Sequence, residues 1–258
     1  MKLIVVGSSG SCASPSSAAS CYLVQCHDAN RRLWNLVLDL GSGSFGPLQQ
    51  LVAPEALDAV AITHLHPDHC ADLTGLQVYA KLRPGAQMDG LPVYGPSGTS
   101  KQLAAMQYSA GDRASVFAIG TWRTGQAVQV GPLLIRPFAV DHPVETWGLR
   151  ITGPSAVDGK PRTLAYSGDT DLCPGLEALA DGADLLLAEA AFLEGRDTAS
   201  RMHLTGWRAG QVASRAGVKR LVVTHVPPWY DGAQTVAEAA GAYSGPVHLA
   251  RPNHTFLV

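Results

Sequence analysis

The sequence predicts a mixed α/β (α+β) fold in one domain, residues 1–258. Short apolar runs of strand length recur along the chain, and several stop at a histidine, aspartate or glutamate. Helix signals separate some of these runs, and no low-complexity linker or charge run divides them. With 46% apolar residues, the chain can bury a sizeable core.

Taken in order, Leu3 to Val6 reads as a buried strand ended by Gly7-Ser8-Ser9-Gly10-Ser11. That glycine–serine loop either exposes backbone amides to an anion or simply turns the chain. Cys21 to Cys26 and Asn35 to Leu40 read as a hairpin around the polar loop His27 to Arg32. Ala59 to Ile62 is a strand, and Asp68 opens a helix through Tyr79, with Asp72 favouring its N-terminus electrostatically.

Leu91 to Tyr94 is a strand and Thr99 to Tyr108 a helix. Two more strand pairs follow: Val128 to Val130 with Leu133 to Val140, and Trp147 to Thr152 with Thr163 to Ser167. Ala183 to Ala191 is an apolar strand carrying one acid, Glu189. Thr205 to Ala216 is a helix with Thr205 as N-cap and Gly217 as its stop. Leu221 to Thr224 is a strand, and the tail from Pro246 is read as a closing strand pair.

The net charge of −2 weighs against a long phosphate backbone as partner. Five cysteines without a C-x-x-C pairing read as reduced thiols of a cytoplasmic protein. The first apolar run is too short for an export signal, and no stretch reaches membrane-spanning length, so no membrane partner is expected.

The densest chemical signal is Thr63-His64-Leu65-His66-Pro67-Asp68-His69. In an extended segment, residues two apart face the same side, so His64 and His66 can grip one ion. Pro67 keeps His66 out of the helical region and turns the chain, so Asp68 and His69 can address a second ion. Imidazole and carboxylate suit zinc, manganese or iron. Three further candidates stand where strands end: His142, Asp169 and His225.

His64-Leu65-His66-Pro67-Asp68-His69 resembles the signature of the metallo-β-lactamase fold, a superfamily of two-metal hydrolases. The resemblance implies a four-layer αββα sandwich, two mixed sheets flanked by helices, with the metals at one edge between the sheets. Asp39-Leu40-Gly41-Ser42-Gly43 also matches, with Asp39 implied to support the metal loop from beneath. His64, His66 and His142 are implied to hold a first divalent ion, and Asp68, His69 and His225 a second. Asp169 would bridge both. Zinc is the first expectation, with manganese or iron as alternatives.

An aspartate bridge with the full His-x-His-x-Asp-His motif leans towards phosphoesters or thioesters rather than lactams. Met202-His203-Leu204-Thr205 together with Glu189 resembles the ribonuclease Z branch, where such a histidine–glutamate pair sits beside the scissile phosphate. A histidine oriented by a carboxylate can stabilise phosphoryl charge and protonate a leaving oxygen. The alternative is that His203 caps a helix and Glu189 pairs with an arginine.

The tRNA-processing members carry a long arm between the positions of His142 and Asp169, and this chain has no room for one. Leu65 to Leu73, Ala165 to Thr170 and His203 to Gly206 are similar to an actinobacterial subgroup that includes cyclic-AMP phosphodiesterases. The expectation is a two-metal phosphodiesterase acting on a small nucleotide, foremost 3′,5′-cyclic AMP. Asp68 would orient the attacking water, and His203 with Glu189 would assist the leaving group. A ribonuclease Z-like RNA nuclease, and a lactone or thioester hydrolase, are the alternatives, and a homodimer is expected from the family. Trp229 and Tyr230 either stack a nucleobase or pack a Pro-Trp corner; His27, His248 and His254 are expected on the surface.

Overall fold

Side-chain alternation along the first strand sets the layering. In the computed structural model, which describes residues 1–85, 88–106 and 116–258, Lys2–Ser9 forms strand β1. Its Leu3 and Val5 face one buried cluster while Ile4 and Val6 face another. A strand that is apolar on both faces must be covered on both.

The first sheet continues through β2 (Ala18–Ala19), β3 (Cys21–His27), β4 (Leu33–Leu38), β5 (Ala59–Ala61), β6 (Leu91–Gly95) and β7 (Phe117–Thr121). The second comprises β8 (Val128–Val130), β9 (Leu133–Ala139), β10 (Trp147–Pro154), β11 (Pro161–Tyr166), β12 (Leu185–Glu189), β13 (Leu221–Thr224) and β14 (Val247–Leu249). Strand β15 (Thr255–Leu257) returns to the first sheet, antiparallel to β1. Both sheets are mixed: β4 through β7 and β11 through β14 pair in parallel, the rest mainly antiparallel.

Between the sheets lies the central core, where Leu3, Val5, Leu36 and Leu38 meet Leu149, Ile151, Leu164 and Leu187. Helices α1 (Phe45–Gln49), α2 (Pro67–Cys70), α3 (Leu73–Leu82) and α4 (Thr99–Ala105) cover the outer face of the first sheet through Leu48, Leu73, Leu76 and Leu103. On the second sheet, α5 (Pro174–Ala180), α6 (Gly206–Arg215) and α7 (Gly232–Ala242) do the same through Leu176, Val212 and Ala239. The result is the expected αββα sandwich. No helix among the described residues is long and apolar enough to cross a membrane.

Several expectations are corrected. The tail does not pair with itself: β14 joins β13 in one sheet and β15 joins β1 in the other. The helix expected from Asp68 breaks at Ala71–Asp72, and the Asp72 carboxylate accepts from Phe45 N at 2.8 Å instead of capping its own helix. The Gly7–Ser11 loop begins later, because β1 runs to Ser9. Helix α4 ends at Ala105, and Tyr108 lies outside the described residues. Helix α6 keeps its expected caps: Thr205 Oγ1 accepts from Arg208 N at 3.1 Å, and Gly217 takes φ +61°.

Candidate metal centre

Strand direction brings the candidate ligands to one edge. Strands β9 and β11 run the same way, since both are antiparallel to β10, and β12 and β13 are parallel to β11. His142, Asp169, Glu189 and His225 therefore all emerge at carboxyl ends, where open α/β sheets place their ligands. From the first sheet, β5 delivers His64 and His66. His66 is extended at φ −67° and ψ 147°, as the following Pro67 requires, and Asp68 and His69 then turn inward on α2.

Two clusters result. In the first, His66 Nδ1 lies 3.0 Å from His64 Nε2 and 3.3 Å from His142 Nε2, while His64 Nε2 is 3.6 Å from Asp169 Oδ2. In the second, His225 Nε2 lies 3.1 Å from Asp68 Oδ2, 3.2 Å from His69 Nε2 and 3.5 Å from Asp169 Oδ2. Asp169 belongs to both groups, and its Oδ1 is 3.2 Å from His69 Nε2.

Hydrogen bonds behind the rings fix which nitrogen faces inward. His69 Nδ1 donates to Asp39 Oδ2 at 2.7 Å, and His142 Nδ1 donates to the Met202 carbonyl at 2.8 Å. Both rings thus present Nε2 to the cluster, the nitrogen that would hold a cation there. Burial holds His64, His66 and His142 below the usual imidazole range, so they are neutral donors. Although burial alone would raise Asp169, His225 and His69 beside it outweigh that and keep the carboxylate ionised. Its Oδ1 is buried without a hydrogen-bond partner among the described residues. The donor set and this orphaned oxygen fit a pair of divalent cations.

The support beneath the clusters was only partly foreseen. Asp39, fully buried at the end of β4, accepts from Thr63 N at 2.7 Å, Thr63 Oγ1 at 2.9 Å and Tyr166 Oη at 2.7 Å, besides His69. Tyr166 reads in sequence as one more apolar strand residue, and nothing in its spacing announces the hydroxyl's role. Asp171 was missed too: its carboxylate accepts from Arg201 N and from Arg208 Nη1, both at 2.8 Å. That contact anchors the loop carrying Met202 and His203.

His203 Nδ1 lies 3.0 Å from Glu189 Oε1 and 4.0 Å from Asp169 Oδ2. Glu189 is buried and also accepts from Thr170 N at 3.0 Å and Ala191 N at 2.9 Å. Burial would lower His203, but the charge and hydrogen bond of Glu189, with Asp169, raise it to about 9. Thr205, not His203, caps α6, and Glu189 takes no arginine among its described partners.

Cys70 is buried in the outer core, and burial pushes its thiol up to about 12. Tyr230 is tied to Asp197 by a 3.0 Å hydrogen bond, whereas Trp229 is 61% exposed. His27, His248 and His254 are exposed, as expected.

Fold and site together define a metal-dependent hydrolase built on two facing sheets. Residues 34–226 match the family model for the β-lactamase superfamily domain, and the chain belongs to that superfamily. An uncharacterized protein of Mycobacterium leprae is 38% identical over 260 residues, covering 99% of this chain and 88% of that one. The probable metallo-hydrolase YhfI of Bacillus subtilis is 30% identical over 253 residues, 97% of each chain. Its crystal structure superposes with a TM-score of 0.84 at 28% identity, covering 100% of this chain and 99% of that one. Ribonuclease Z of Ligilactobacillus salivarius is 25% identical over 281 residues, 90% of this chain and 88% of that protein. This metallo-hydrolase family implies divalent metal ions.

Proposed function

We propose that this chain is a two-metal phosphodiesterase that opens the ring of a 3′,5′-cyclic nucleotide, foremost cyclic AMP, to the 5′-monophosphate. The observation that carries the reading is the His203–Glu189 pair, 3.0 Å apart, at 4.0 Å from the shared carboxylate Asp169. Thioester hydrolysis, whose thiolate leaves without protonation, has less use for a proton donor at that place.

His64, His66 and His142 would hold one ion, Asp68, His69 and His225 the other, with Asp169 common to both; zinc suits this donor set, and manganese or iron also fit. Bound there, the ions would lower the pKa of water and neutralise charge on the phosphoryl group. Asp68 orients the attacking water, whose oxygen joins phosphorus as the bond to the ribose 3′ oxygen breaks. With Nδ1 engaged by Glu189, His203 would give through Nε2 the proton that this oxygen needs.

An RNA nuclease is the second reading, favoured by the similarity to ribonuclease Z. Against it, residues 142–169 hold the β10–β11 hairpin and no protruding arm. The reading takes residues 1–258 as one domain, since strands from the chain's two ends enter one sheet. A cytoplasmic location accords with five unpaired cysteines, and a homodimer is carried over from the family.

His203→Ala tests the assignment. It should leave the metal content intact and lower phosphodiester turnover by ~10²–10⁴. Loss of metal from that variant would make His203 structural instead.

A further inference from the structure

The loop leaving β1 is pressed against a candidate metal ligand in a way the reaction described above does not use. Ser8 O accepts from His225 N, and Gly10 N donates to Val226 O, both at 3.1 Å. Between these bonds the backbones nearly touch: a Cβ on Gly10 would lie 2.1 Å from the His225 carbonyl oxygen. Only glycine allows this approach.

The next residue is strained. Cys12 N donates to Gly10 O at 2.7 Å, closing a three-residue turn around Ser11, which sits at φ +62°. Turns of this length with a positive φ at the centre are rare and costly, and such strain collects where function needs it. The consequence is an aimed donor: Ser11 N–H points at His225 Nε2, 3.4 Å away. That nitrogen is the one His225 turns toward Asp68 and His69. Once it gives its lone pair to a cation, it can no longer accept from Ser11. The amide is then a free donor at the edge of the centre, held by two strand-like hydrogen bonds.

We propose that the Ser11 backbone N–H is a catalytic donor that binds a non-bridging phosphoryl oxygen of the substrate. The inference rests on the phosphodiester reading and extends it. A preorganised amide costs no reorganisation when negative charge grows on phosphorus, and it gains strength in a site closed to water. It also gives Gly7–Ser11 the anion-binding role that its composition leaves open. The side chain of Ser11 is exposed and plays no part.

The test replaces one atom group. Ser11→Ala is compared with the same protein carrying lactic acid at position 11 by nonsense suppression, which turns the amide into an ester, removing the Ser11 N–H and weakening the Gly10 carbonyl that accepts from Cys12 N. Metal content, affinity for inorganic phosphate by calorimetry, and turnover of cyclic AMP are measured on both metal-loaded proteins. The ester protein should keep two ions per chain and bind phosphate about tenfold or more weakly. Its kcat should fall by ~10²-fold.

An ester at position 12 removes the turn's own donor and leaves the Ser11 amide. A loss of phosphate affinity as large there as at position 11 would make the effect one of loop shape and overturn the proposal. Equal phosphate affinity of the alanine and lactic acid proteins would also overturn it, as would failure of the alanine protein to bind phosphate. If phosphate affinity falls as expected but neither protein turns over a phosphodiester, the amide is an anion donor and the phosphodiesterase reading alone fails.

Discussion

His69 Nδ1 and Asp39 Oδ2 lie 2.7 Å apart, and neither side chain reaches solvent. The contact joins the first sheet's β4 to the metal loop, and the Tyr166 hydroxyl brings the second sheet to the same carboxylate. One buried acid thus orients a ligand and ties the two sheets together beneath the centre.

Asp39→Asn should keep the fold, because asparagine tolerates the φ of +54° found there. It cannot accept from all four donors, however, and His69 loses its charged partner. Metal affinity should fall by about 10–100-fold, measured by competition with a chromophoric chelator. Unchanged affinity would show that Asp39 serves the sheets and not the ligand.

Gly41 follows from the same packing. A Cβ there would meet the Asp68 carbonyl oxygen at 1.9 Å, so Gly41→Ala must push α2 and its two candidate ligands aside. A loss of about 1–3 kcal/mol in stability and a lower metal content are expected. Gly46→Ala, on α1 with nothing within 4 Å, should be neutral or stabilising by up to about 1 kcal/mol. Equal melting temperatures for the two variants would contradict this account of the loop.

His203 should show itself in the pH profile. Its folded-state value is raised to about 9, so the protonated form that serves a leaving oxygen persists through neutral pH and is lost as pH rises past that value. Glu189 is the largest raising influence. Glu189→Gln should therefore move the alkaline limb of kcat to lower pH while the acid limb stays. An alkaline limb that does not move would remove Glu189 from the proton's path.

How much of this was legible in the sequence depended on where each constraint resides. Strands ending in His142, Asp169 and His225 could be read, because sheets covered on both faces leave uninterrupted apolar runs. His66 could be placed as extended, because Pro67 forbids it the helix. The pairing of the tail could not: Val247–Leu249 and Thr255–Leu257 resemble a hairpin locally, and only the two-sheet architecture sends them apart. Helix α7, rich in alanine and glycine, carries too faint an apolar face to announce itself. The hydroxyl of Tyr166 and the anchoring of Arg201 by Asp171 exist only once distant segments meet. Ser11 was visible as part of a glycine–serine loop, but its direction toward His225 was not.

The reading as a whole turns on one assay: hydrolysis of 3′,5′-cyclic AMP by purified protein loaded with zinc or manganese, beside a chelator-treated control. The account predicts metal-dependent release of 5′-AMP. Absence of turnover by protein that demonstrably carries two ions per chain would contradict it. Salt-sensitive binding of RNA would then become the property to measure.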